Sequence, residues 1–281
     1  TRRPSRRRLP TSRPPRPHSS RKTTIRRLKP DQHHQAQTTP QPPNTPAKPT
    51  GTIGQVQLIL IRHGQTEANL LRALDTAIPG APLTETGQAQ AQSLPQRVTP
   101  LLRGQVSLWV SPILRTRQTI APLENALGLQ ANIRHGLREV IAGELEMRND
   151  DDSVGCYIDT TRAWMTGRMR SRMPAGQSGV ETFQRFEAVV REAAASTPQD
   201  GTIIITAHGT ILRLFGCVGT RGADPNWLCN QPIANTGICI AEGGLLQGWD
   251  LKVWNNGQWV ADNYHGPIPT GYEGATSSLA N

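Results

Sequence analysis

Two apolar, β-rich runs, Val56 to Ile61 and Gly201 to Thr206, each lead through one further residue into a His-Gly pair. The pairs are His63-Gly64 and His208-Gly209, and each is followed by a turn toward a helix. No other feature limits the fold so tightly. A short continuous apolar run is the pattern of a strand buried on both faces, and such a strand needs helices on either side of its sheet. In open α/β sheets, ligands bind beyond the carboxyl ends of the strands. Both histidines therefore belong at one functional edge. Arg62 stands beside His63, directly after the first run. A guanidinium is costly to bury without an anionic partner. A phosphate or sulfate is the simplest one, because it accepts the planar fork in bidentate fashion.

The rest of the chain supplies matching elements. Val106 to Val110, Ile238 to Ala241 and Leu251 to Trp254 read as further strands. Thr84 is placed to cap a Gln- and Ala-rich helix running to about Val98, and residues 113–127 also read as helical. Val180, Phe183, Phe186, Val189 and Val190 recur at helical spacing over residues 180–195. The segment from Arg134 to about Pro174 reads as irregular, with acids at 150–152 and bases at Arg168, Arg170 and Arg172. Strands alternating with helices imply an α/β protein, a three-layer α/β/α sandwich with a mainly parallel sheet. No repeat of fixed period is visible.

Charge divides the 281 residues in two. The chain holds 31 Lys and Arg against 21 Asp and Glu, yet 13 of those bases and only Asp31 among the acids fall in residues 1–54. Residues 55–281 are then close to neutral, with 18 bases and 20 acids. The expected organisation is a basic, Pro-rich tail, 1–54, and one globular domain, 55–281. The tail carries 11 of the 23 prolines and no aromatic residue. It cannot offset an ordering cost of about 1–2 kcal/mol per residue, so it reads as disordered. Its simplest role is a solvated arm; weak electrostatic contact with nucleic acid or acidic lipid is the alternative. Arg6, Arg7 and Arg8 are not followed by an apolar run of a secretion signal, and no stretch approaches the roughly 18 apolar residues of a membrane span. Cys156, Cys217, Cys229 and Cys239 form no C-x-x-C pair and read as reduced. With no N-x-[ST] acceptor in the chain, a cytoplasmic setting is expected.

Five blocks carry a resemblance. Arg62-His63-Gly64-Gln65-Thr66-Glu67-Ala68-Asn69 resembles R-H-G-x-T-x-x-N of the histidine phosphatase superfamily, the phosphoglycerate-mutase-like group. Pro82 to Ala91 resembles P-L-T-x-x-G-x-x-Q-A, and Ser111 to Thr119 resembles S-P-L-x-R-A-x-Q-T. Leu137-Arg138-Glu139 with Gly143 resembles L-x-E-x-x-x-G, and Ala207-His208-Gly209 with Arg213 resembles the second-histidine block. One R-H-G tripeptide is weak; five blocks in order across about residues 56–240 are specific. Leu145-Glu146-Met147 departs from the family, where Trp-Glu-Gly is common, and this bears on the rim of the pocket.

The resemblance implies a phosphomonoesterase acting on a small phosphorylated substrate. His63 would be the nucleophile. Arg62 and Arg115 would grip the phosphoryl oxygens, and His208 would donate to one of them. Asn69 would bind the phosphate, and Gln65 and Thr66 either touch it or shape the loop. Glu139 would act as acid for the leaving alcohol and base for water, with Glu144 and Glu146 as competitors. No metal and no cofactor is implied, because arginines and histidines supply the positive field. Arg117 reads as a surface base and Arg213 as support for the helix after His208. Two alternatives stand beside this reading: phosphoglycerate-mutase-type transfer, and a non-catalytic phosphate-binding protein. A homo-oligomer is left open.

Overall fold

A computed structural model describes residues 55–269. The expectations for residues 1–54 lie outside the described residues, as does the stretch 270–281. The strands are β1 (Val56–Arg62), β2 (Val106–Val110), β3 (Asn132–Ile133), β4 (Thr202–Ala207), β5 (Thr220–Arg221), β6 (Ile238–Gly244), β7 (Gly248–Trp254) and β8 (Trp259–Val260). They form one sheet in the order β3-β2-β4-β1-β6-β7-β5, with β8 paired to β7. The half holding β3, β2, β4 and β1 is parallel. Beyond β1 the sheet turns antiparallel through β6, β7 and β8, so it is mixed, with a parallel half that carries the histidines.

The helices are α1 (Glu67–Leu70), α2 (Glu85–Gln92), α3 (Leu94–Val98), α4 (Leu114–Leu127), α5 (Asp151–Met165), α6 (Gly179–Ser196), α7 (Gly209–Gly219) and α8 (Pro225–Leu228). They cover both faces of the sheet. Every residue of β1 and β4 is buried. Because side chains alternate along a strand, Leu58, Leu60, Ile203 and Ile205 face one core. There they meet Tyr157 and Trp164 of α5, Phe186 of α6 and Phe215 of α7. Ile59, Ile61 and Ile204 face the other core, with Leu94 and Val98 of α3 and Ile120 and Leu123 of α4. Each such side chain contributes about 1.5–3 kcal/mol of transfer free energy on burial.

Two expectations need correction. The helix from Thr84 to Val98 is two helices: Thr84 caps α2 through Gly87 N at 3.0 Å, but Pro95 restarts the chain as α3. The segment 134–174 is not irregular throughout, for it contains the 15-residue α5. The acids at 150–152 are its start signal. Asp150 Oδ1 accepts from Ser153 N at 3.0 Å, and Asp151 and Asp152 lie in the first turn, where they complement the helix dipole. The helix expected at 180–195 forms as α6, with a capping box between Ser178 and Glu181. Its first residue, Gly179, rests on α5: a Cβ there would stand 2.6 Å from Trp164 Cγ.

Candidate active site

The adjacent parallel strands β1 and β4 end together and deliver the two histidines to one place. Their ring centroids lie 5.3 Å apart, 62° from coplanar. His63 is buried, and its backbone N–H donates to Ala207 O at 3.0 Å, tying the two strand ends. Its Nδ1 stands 2.7 Å from Gly64 O. A carbonyl oxygen only accepts, so Nδ1 carries the proton and Nε2 keeps its lone pair. Gly64 permits the tight fit beneath, since a Cβ on it would lie 2.6 Å from Gly87 O at the start of α2.

His208 is fully buried and differs. Its Nε2 lies 2.8 Å from Ser111 Oγ, while its Nδ1 is buried without a partner. Both imidazoles are pushed well below the ordinary histidine range. For His63 the causes are burial, then Arg115, then Arg62; for His208, burial, then Arg115, then His63.

A cavity of about 30 Å³ opens beside His63, lined by Arg62, Arg115, Asn69, Thr66 and Glu139 among others. Arg62 Nη1 donates to Ile233 O at 2.5 Å, and burial pulls its guanidinium down to about 10, so it remains cationic at neutral pH. Arg115 comes from the first turn of α4. It donates from Nη1 to Asp75 Oδ2 at 3.1 Å and from Nη2 to Asp75 O at 2.8 Å.

The carboxylate of Glu139 accepts from Val140 N and Ile211 N at 2.8 Å on Oε1 and from Thr210 N at 3.0 Å on Oε2. His208 leaves α7 without a side-chain cap, and Glu139 takes the open N–H groups instead. Arg185 of α6 fixes the loop that carries Glu139, donating to the carbonyls of Gly136, Arg138 and Glu139 at 2.6–2.7 Å.

Thr66 and Asn69 cap α1 reciprocally, and Asn235 Nδ2 bridges Asn69 Oδ1 and His63 O. Gln65 stands apart: its Oε1 accepts from Thr84 Oγ1 at 3.0 Å, and it does not line the cavity. His208 likewise does not line it, but backs His63. Of the competing acids, Glu144 is exposed, whereas Glu146 accepts from Thr76 N at 2.8 Å and Ala77 N at 2.9 Å. Glu146 thus clamps the segment that places Asp75. Arg117 is exposed, as expected.

Sequence reasoning missed Asp75, Thr76 and Tyr157, all of which line the cavity, together with Asn235 and Arg185 behind it. Arg185 left a signal, a base beside the apolar stripe of α6. Asp75 left none, because its partner Arg115 is 40 residues away.

The profile of the histidine phosphatase superfamily, branch 1, matches residues 58–257. The chain belongs to that superfamily. A PE-PGRS family protein of Mycobacterium tuberculosis is 32% identical over 222 residues, 73% of this chain. The match spans only 37% of that relative's length. A probable phosphoglycerate mutase, GpmB, of Escherichia coli is 31% identical over 61% of this chain and 77% of the mutase. Among solved structures, mycobacterial glucosyl-3-phosphoglycerate phosphatase complexed with VO3 superposes with a TM-score of 0.57 at 25% identity, over 71% of this chain and 98% of that one. A second, mycobacterial hydrolase 1, gives 0.61 at 22% identity over 72% and 98%. No helix among the described residues is long and apolar enough to cross a membrane.

Proposed function

We propose that the protein is a metal-independent phosphomonoesterase that hydrolyses a small phosphorylated metabolite through a phosphohistidine at His63. The observation that carries this is the tautomer. Nδ1–H is committed to Gly64 O, and burial with Arg115 and Arg62 keeps the ring neutral. Nε2 is therefore a free, unprotonated nucleophile. In the first step Nε2 bonds to phosphorus, the P–O ester bond breaks, and the leaving oxygen takes a proton. In the second, water attacks phosphorus, gives up a proton, and the N–P bond breaks to release phosphate.

Glu139 handles the proton in both steps, its aim fixed by three backbone N–H groups. Arg62 and Arg115 supply the positive charge that the transferring group needs, in place before reaction. Nδ1 of His208, buried and unpartnered, donates to a phosphoryl oxygen when Ser111 Oγ–H occupies Nε2. Asn69 and Thr66 shape the entrance, and Gln65 supports the loop.

The test is a panel of phosphorylated metabolites with phosphate release as readout and His63→Ala as control. An unchanged rate in that variant overturns the covalent mechanism. Relatives named as probable phosphoglycerate mutases favour a second reading, transfer between hydroxyls of a sugar acid. Supplying 3-phosphoglycerate separates the two: free phosphate supports hydrolysis, and 2-phosphoglycerate supports transfer.

A further inference from the structure

Among the described residues, the buried arginines have acceptors, with one exception. Arg62 donates to Ile233 O, Arg115 to Asp75 and Arg97 to Thr236 and Asn256. Arg213 on α7 is 9% exposed and makes no hydrogen bond or ion pair with any described residue; its Nε is buried and unsatisfied. A guanidinium in that state lacks the direct hydrogen bonds and ion pair that buried charges ordinarily have. Burial is also what lowers it most, against the pull of Glu139 and then Tyr157, neither of which hydrogen-bonds to it.

Arg213 lines a cavity of about 300 Å³ that shares no lining residue with the one beside His63. That volume is at the lower end of small-molecule sites. One wall is a face of α5, where Ile158, Arg162 and Met165 recur at helical spacing; Asn230 and Pro232 close the other side. Arg162 is already paired with Asp159 at 3.2 Å. Arg213 is therefore the lining guanidinium without a paired carboxylate, and one such charge suits a monoanion better than a phosphate dianion. Ile158, Met165 and Pro232 offer an apolar lining for a short stem.

We propose that this cavity is a second ligand site, separate from the phosphoryl cavity, which takes a small carboxylate with a short apolar stem, its head paired in bidentate fashion with Arg213. Catalysis at His63 is not needed for it, so the two readings fail independently.

The test uses the full chain and isothermal titration with hexanoate, with hexanol as the uncharged control. Wild type and His63→Ala bind hexanoate saturably and alike, and hexanol binds at least about tenfold more weakly. Arg213→Gln loses at least about tenfold in hexanoate affinity. Ile158→Glu, at a half-buried position on the cavity wall, repels the carboxylate and loses as much; circular dichroism and thermal unfolding of both variants confirm that they are folded. Absence of saturable binding, equal binding of hexanol, or hexanoate affinity unchanged in Ile158→Glu overturns the site. Loss of hexanoate binding in His63→Ala overturns its separateness.

Discussion

His63 and His208 stand in matching contexts, each at the end of a buried parallel strand and each followed by glycine and a helix. Their hydrogen bonds differ. His63 gives its Nδ1 proton to the carbonyl of the next residue and leaves Nε2 open. His208 engages Nε2 with the Ser111 hydroxyl and leaves Nδ1 unpartnered. A carbonyl forces one tautomer, whereas a hydroxyl can donate or accept. The first ring is thus fixed in the tautomer that the proposed nucleophile needs, and the second is left with a nitrogen that can donate. Equivalent strand ends therefore do not make equivalent side chains; the partner at the other nitrogen assigns the role.

The largest expected effect breaks that comparison outright. His63→Ala lowers phosphate release by on the order of 10^4–10^6, and no phosphoenzyme is trapped on rapid quenching and mass spectrometry. His208→Asn costs less, about 10²–10³, and still forms the phosphoenzyme. Labelling that persists in His63→Ala and disappears in His208→Asn reverses the assignment. Glu139→Gln slows hydrolysis of alkyl phosphates by about 10²–10⁴, with a smaller loss on aryl phosphates, whose leaving group needs less protonation. An equal loss on both classes removes Glu139 from the leaving-group step.

Acid sharpens the contrast between these rings and ordinary histidines. Both fold as neutral groups with pKa values depressed by burial first and by Arg115 next. In the unfolded chain they take up protons near pH 6.5, which the folded state resists. Stability is intact above about pH 6.5 and falls below it, by up to about 1.4 kcal/mol per pH unit for each ring. Denaturant titrations at pH 7 and pH 5 measure this, and His208→Asn flattens the dependence. Corrected for substrate ionisation, kcat/KM keeps no acid limb near pH 6.5, and Arg115→Ala moves the limb upward.

The smallest effect lies away from the rings. Asp150→Ala removes the cap of α5 and lowers the midpoint of a denaturant titration slightly, leaving the phosphoenzyme signal intact.

Much of the site was legible because its parts are local. Arg62, His63 and Asn69 sit within one strand-turn-helix, Arg115 opens α4, and His208 precedes α7. Helix α5 was missed: Val154, Tyr157, Thr161 and Trp164 recur at helical spacing, but the run of acids at its start and the bases beyond it made the segment read as irregular. The rim was not legible. Asp75 meets Arg115 across 40 residues and Glu146 meets Thr76 across 70, and no local pattern marks either pair.

Chain order alone dictated the buried strands, their paired histidines and the basic residues beside them, since apolar runs and turn residues act over a few positions. Which ring nitrogen stays bare, which acid receives the α7 amides and which guanidinium lacks a partner were decided only on folding. Those outcomes depend on atoms brought within about 3 Å from distant parts of the chain, and a hydrogen bond of that length is set by tertiary geometry.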